Sequence, residues 1–166
     1  MPILKPTVAL RNVTDITPEL LKSLGTDAIL LDVDNTLAPP TSKIAYDGVQ
    51  EWIDRIKACG ISIVICSNNY KKRVKPFSDS VGLDCVAMSL KPTPIGFNRA
   101  KRLLKEKPES VLVVGDQIYT DTLGANCAGV TSILVDAISN HNFWLKARHV
   151  LELPFILIAR NRRMKQ

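Results

Sequence analysis

The stretch Leu31-Asp32-Val33-Asp34-Asn35-Thr36-Leu37-Ala38-Pro39-Pro40 decides the reading of this chain. Residues Ala28 to Leu31 ahead of it are wholly apolar, which predicts a buried strand over Ala28–Val33. Two aspartates one residue apart end that strand, followed by an amide, a hydroxyl and a proline-rich break. Carboxylates this close repel each other and are costly to hold unless they share a cation or one keeps a proton. The end of a strand is also where open α/β sheets place their ligands. The pattern points to a Mg²⁺-dependent phosphoryl-transfer site. An Asx-rich turn leaving a strand would use the same residues without any chemistry, so the rest of the chain has to decide.

Outward from this stretch, short apolar runs alternate with segments of helical spacing. Helices are predicted over Tyr46–Ala58 (Val49, Trp52, Ile53 and Ile56 in register), Tyr70–Val81, Pro94–Lys105 and Thr120–Ala128. Pro76 should break or bend the second of these. Strands are predicted over Ile61–Cys66, Leu83–Met88, Ser110–Val114 and Thr131–Val135. Alternation of this kind gives right-handed βαβ crossovers, hence an α/β protein with a mainly parallel five-stranded sheet between two helical layers.

Three later strand ends carry the remaining chemistry. Ile61–Cys66 runs into Ser67-Asn68-Asn69, where a hydroxyl and backbone N–H groups opening a helix can bind phosphate oxygens. In Ser89-Leu90-Lys91-Pro92-Thr93-Pro94 a lysine is pinned before a helix by two prolines, placed to neutralise a transferring phosphoryl group. Val113-Val114-Gly115-Asp116-Gln117-Ile118-Tyr119-Thr120-Asp121 delivers a second acidic cluster, with Asp116 at the strand end. Alone, each has a plain alternative: a routine turn, a solvated loop, or a helix N-cap for Asp116. Together and in this order they favour a metal site.

With these motifs in place the chain resembles the haloacid dehalogenase-like (HAD) phosphohydrolase superfamily over about residues 28–136. The match is Asp32-x-Asp34-x-Thr36, Ser67, Lys91 and Gly115-Asp116 followed by Asp121. Within it, Leu-Asp-Val-Asp-Asn-Thr-Leu and Ser67-Asn68-Asn69 look like the YqeG-like, type III-A branch, which includes phosphatidylglycerophosphate phosphatases of bacteria and organelles. The resemblance implies a Rossmann-like three-layer fold and a phosphatase working through an aspartyl-phosphate. It makes Asp32 the nucleophile and Asp34 the general acid and then base, its proton favoured by neighbouring negative charges. Thr36, Ser67 and, less directly, Asn68 would bind the phosphoryl oxygens, and Lys91 would offset their charge. Mg²⁺ would be held by the Asp32 side chain, the Asp34 backbone carbonyl and Asp116, with Asp121 orienting a metal-bound water or Lys91.

The spacing between motifs leaves no room for a cap of ~50 residues or more, so residues 1–166 read as one capless domain with an open site. Such a site suits phosphate carried on something large: a lipid headgroup, a protein or a nucleic acid. Of the net charge of +6, residues 141–166 carry +5, and Arg160, Arg162, Arg163 and Lys165 come just after the apolar run Leu151–Ala159. Nine residues are too few to span a bilayer, but an apolar run beside a polybasic end suits an anionic membrane surface. Docking onto the fold is the plain alternative. A nucleic-acid or ribosome partner, using Lys71-Lys72-Arg73-Val74-Lys75, is the weaker reading because few aromatics accompany those charges. Cys59, Cys66 and Cys127 lie in or beside apolar runs and read as core residues of a reducing compartment. The N-terminus lacks the features of a signal or transit peptide. The expected location is therefore cytoplasmic, or stromal or matrix within an organelle, with possible peripheral membrane attachment.

Overall fold

In the computed structural model, residues 3–40, 42–104 and 110–138 are described. The C-terminal apolar and basic segment, and with it the expected membrane or docking role of 141–166, lies outside the described residues.

Chain order is β1 (Val8–Leu10), a 3₁₀ turn at Val13–Asp15, α1 (Pro18–Ser23), β2 (Ala28–Leu31), α2 (Val49–Ala58) and β3 (Ser62–Cys66). It continues with α3 (Lys71–Ser80), β4 (Asp84–Val86), α4 (Pro94–Leu103), β5 (Val111–Gly115), a π turn at Ile118–Thr122, α5 (Leu123–Cys127) and β6 (Thr131–Val135). All strand pairs are parallel, in the order β1-β6-β5-β2-β3-β4. The sheet thus has six strands, one more than the sequence predicts. The extra strand, β1, is a three-residue edge piece close behind Pro6, too short for alternation to show.

Parallel strands with helices on both faces are apolar on both faces, and β2 shows why. Ile29 and Leu31 face a core shared with Trp52, Ile53 and Ile56 of α2 and Val74 and Phe77 of α3. Leu30 faces the opposite core with Phe97 and Ala100 of α4 and Ala125 of α5. The buried Trp52 indole N–H donates to the Ile16 carbonyl at 2.9 Å, so the largest core side chain leaves no donor unmet.

Three expectations change. Helix α2 begins at Val49 and not at Tyr46, because Gly48 (φ 78°) turns the chain into the helix. Helix α3 runs through Pro76: one lost backbone bond is offset by seating Val74 and Phe77 on the sheet. Cys59 and Cys127 are exposed, since each ends a helix beyond its apolar face, whereas Cys66, on β3, is buried.

From β2 the chain moves outward through β3 and β4, then returns across β2 to β5 and β6. The crevice between the ends of β2 and β5 is therefore the topological switch point, where doubly wound sheets bind ligands.

Candidate active site

Four chain segments converge at that crevice. After β2 the chain folds back tightly: the amides of Thr36, Leu37 and Ala38 all donate to the Val33 carbonyl, and Asn35 takes a left-handed φ of 64°. Asparagine is among the residues that tolerate this conformation best. The fold-back leaves Asp32 buried in line with β2 and turns Asp34 outward.

Lys91 holds the centre. Its ammonium donates to Asp32 Oδ1 at 2.7 Å and to Asp121 Oδ1 at 2.6 Å, and all three side chains are buried. Burial works against the lysine charge, but Asp121 and Asp32 outweigh it, and its pKa is raised. Asp32 shows the reverse balance. Burial raises its pKa to about 6, with Lys91 pulling the other way and Asp121 and Asp34 adding to the rise. Asp116, also buried, is pushed well up by desolvation and by the charges of Asp32 and Asp121. No ion pair among the described residues reaches it, and the Thr36 hydroxyl lies a long 3.4 Å from its Oδ1. One oxygen from each of Asp32, Asp116 and Asp121 lies within 4.8 Å of the others. Of the three buried carboxylates, Lys91 pairs with only two, and a cluster of hard oxygen donors of this kind fits Mg²⁺.

The lysine loop is fastened to the loop after β3. Asn68 Oδ1 accepts from the Lys91 amide at 2.7 Å and the Ser89 hydroxyl at 2.8 Å, while its Nδ2 donates to the Lys91 carbonyl at 2.9 Å. The Asn68 side-chain amide is thus occupied in positioning Lys91. Gly96 permits this docking, because a Cβ there would stand 2.2 Å from the Ser89 carbonyl oxygen. Gly115 is needed for a similar reason. The π turn brings Asp121 back over it, and a Cβ would meet the Asp121 carboxyl carbon at 2.3 Å. Asp121 Oδ2 is held in turn by the Gln117 amide at 3.2 Å and the Thr120 hydroxyl at 3.3 Å.

Two further expectations are corrected. Thr36 is fully buried with its hydroxyl toward Asp116, so it braces the acidic cluster and does not line the cleft. The groups contacting the Asp34 carboxylate are donors and not negative charges. Asn69 Nδ2 donates to Oδ2 at 3.0 Å, and Arg73 Nη2 to Oδ1 at 2.8 Å.

The sequence reading missed Asn69 and Arg73 as site residues. Arg73 also reaches the Pro39 carbonyl at 3.3 Å and lies 5.7 Å from the Phe77 ring centre. Its place in the helical period, beside Val74 and four before Phe77, was the available signal that it faces inward. Its side chain is largely buried in the ion pair with Asp34, whereas the neighbouring Lys71, Lys72 and Lys75 are exposed. The cleft, about 300 Å³, is lined by Asp32, Asp34, Ser67, Lys91, Gln117 and Thr120 together with Asn68 and Asn69. Cys66 lies close behind it, but burial pushes its thiol up to about 11, so it stays protonated and unreactive.

A doubly wound parallel sheet with buried carboxylates and a lysine at its switch point defines a class of α/β hydrolytic enzymes, and comparison with known proteins places the chain within it. Residues 17–129 match the family model for haloacid dehalogenase-like hydrolases, and the chain belongs to that family. It is 40% identical over 130 residues to a probable phosphatase, YqeG, of Bacillus subtilis, covering 78% of this chain and 76% of that one. It is 24% identical over 164 residues to phosphatidylglycerophosphate phosphatase 1, chloroplastic/mitochondrial, of Arabidopsis thaliana, covering 93% of this chain but 47% of that one. An uncharacterized protein from Listeria monocytogenes shares the fold with a TM-score of 0.52 at 17% identity, over 69% of this chain and 84% of that one.

Proposed function

We propose that the chain is a Mg²⁺-dependent phosphomonoesterase that works through an aspartyl-phosphate on Asp32, with phosphatidylglycerophosphate as its substrate. The observation that carries the chemistry is Lys91 bridging Asp32 and Asp121 beside Asp116 at the switch point. The lipid substrate is supported by the similarity to the Arabidopsis enzyme and by a cleft open to solvent.

An oxygen of Asp32 attacks phosphorus and the bond to the leaving oxygen breaks. Protonated Asp34 gives that oxygen its proton. The resulting Asp34 carboxylate, held by Asn69 and Arg73, then takes a proton from water, whose oxygen displaces Asp32 and releases inorganic phosphate. Asp32, Asp116 and the Asp34 carbonyl would hold Mg²⁺, which would supply positive charge to offset the phosphoryl oxygens. Lys91, fixed by Asp121, places a second cation on the same oxygens, and Ser67 offers them a hydroxyl.

The test is phosphate release from phosphatidylglycerophosphate in mixed micelles against glycerol phosphate, a nucleoside monophosphate and a phosphopeptide. The lipid should be turned over fastest, and EDTA should abolish turnover until Mg²⁺ is restored. Faster hydrolysis of a soluble or protein-borne phosphate would replace the lipid assignment. Undiminished activity in chelator would remove the metal.

A further inference from the structure

The large apolar side chains that remain exposed are concentrated at one end of the molecule. In an all-parallel sheet, the C-terminal end of each strand and the start of the helix after it share one end of the fold. Ile44 lies in the loop after β2, Tyr70 caps α3, Met88 and Leu90 follow β4, Ile95 is in the first turn of α4, and Ile138 follows β6. All six are at the end that carries Asp32 and Lys91. Only Ile3 and Leu103, of the exposed large hydrophobics among the described residues, are elsewhere.

Two of the six are held out at a conformational cost. Met88 (φ 48°) and Leu90 (φ 61°) are left-handed, which is unusual for residues with long side chains. Between them Ser89 is turned inward and buried, bonded to Asn68 and packed against Gly96. The same twist that docks the Lys91 loop therefore extends Met88 and Leu90, each about half exposed, into solvent beside the cleft.

Charge follows the same distribution. Lys71, Lys72 and Arg99 are exposed next to Tyr70, Met88 and Ile95, and Lys43 is next to Ile44. The exposed acids of this end are Asp15, in the turn after β1, and Asp47 and Glu51, which come after Ile44 toward α2. The cleft lining is polar and includes Asp34, and the exposed side chains beyond it on the α3 and α4 side are apolar and basic. Apolar side chains inserting among headgroups, with cations beside them, is the pattern that binds an anionic bilayer.

We propose that this end of the folded domain is a docking face for an anionic lipid surface, with Met88, Leu90 and Tyr70 entering the interface and Lys71, Lys72 and Arg99 meeting the headgroups. The proposal rests on the lipid-phosphate reading for its purpose, but it concerns attachment and can be tested without turnover. It places attachment on the catalytic face, so that a bound phosphate monoester lies directly against the cleft.

The experiment uses the full chain with vesicles of phosphatidylcholine, alone or mixed with phosphatidylglycerol, at low and high salt. Binding is measured by flotation, and p-nitrophenyl phosphate hydrolysis is measured in parallel. Wild type should bind the mixed vesicles. Met88→Glu/Leu90→Glu should weaken that binding by about tenfold or more at both salt levels, with soluble turnover within about twofold of wild type. Lys71→Glu/Lys72→Glu should weaken it mainly at low salt, where charge is least screened. Since Lys71 and Lys72 are exposed, this second pair also tests the proposal if the first variant folds poorly. Wild type failing to bind vesicles, or both variants binding as wild type does, would overturn the proposal. So would a concentration-dependent dimer that Met88→Glu/Leu90→Glu dissolves while vesicle binding persists, because the face would then join two copies of the chain. Vesicle binding lost from the variants while wild type fails to cleave any lipid phosphate would leave the docking face standing and overturn only the assigned substrate.

Discussion

The two ends of the sheet are built on opposite principles. At the N-terminal ends of the strands, the turns before β2, β3, β4 and β6 use Gly25, Gly60, Gly82 and Gly129, all with φ between 61° and 82° and with no atom near where a Cβ would stand. At the C-terminal ends the left-handed positions are Asn35, Met88 and Leu90, together with Gly48 ahead of α2. Glycine adopts that conformation without strain, while a side chain there costs roughly 1 kcal/mol or more. Hollows do not separate the two ends: the one beside Gly60, Gly82 and Leu104 measures about 330 Å³ against about 300 Å³ for the catalytic cleft. What distinguishes the catalytic end is convergence of buried charge and tolerated strain, the mark of a functional site.

The comparison breaks most sharply if a change at the acidic end leaves chemistry intact. Asp32→Asn should lower turnover by about a thousandfold or more, since an amide cannot form the acyl-phosphate. Its thermal midpoint should stay close to wild type, because a buried carboxylate whose charge is disfavoured is removed. Single-turnover phosphate release and a melting curve on the same sample check both. Near-normal turnover by the folded variant would move the nucleophile elsewhere.

Next in size is the contrast between two glycines. Gly115→Ala should cost about tenfold or more in turnover, because its Cβ would displace the Asp121 carboxylate and with it Lys91. Gly60→Ala, where φ is 82° and space is open, should cost about 1 kcal/mol in urea unfolding and leave turnover unchanged. Equal effects on turnover would erase the distinction between the ends.

The acidic cluster also sets a pH dependence. Because burial raises Asp32 to about 6, protons compete with metal below that pH. Apparent Mg²⁺ affinity by calorimetry should rise with pH through about 6 and keep rising above it, since the raised Asp116 must lose its proton as well. In metal-free protein the sign is that of a raised carboxyl. The stability contributed by Asp32 is fully present below its ordinary 3.8 and lost as pH rises through about 6. Affinity independent of pH across this range would mean Asp32 is not displaced from a proton by the metal.

The smallest effect concerns strain. Leu90→Gly removes a left-handed side chain that is half exposed, and should raise unfolding free energy by up to about 1 kcal/mol while weakening vesicle attachment. A clear loss of stability would show that Leu90 packs more tightly than its exposure indicates.

The amino-acid sequence by itself determined the alternation of strands and helices, the strand-end positions of Asp32, Asp34, Ser67 and Asp116, and the family. These are local properties: apolar runs set strands, and the residue that ends a run is found by counting. It also placed the lysine, since Pro92 and Pro94 mark the loop around Lys91. The edge strand β1 escaped because three residues carry no period. The partners of the site side chains escaped for a different reason. That Asn68 clamps the Lys91 loop, that Thr36 turns to Asp116 and that Arg73 reaches Asp34 are contacts across 23, 80 and 39 residues of chain. No spacing rule connects such positions. They meet only when parallel strands bring their C-terminal ends to one end of the sheet and burial favours pairing of the polar groups. The gathering of exposed apolar residues at that end is likewise invisible along the chain, because it depends on which loops the crossover topology brings together.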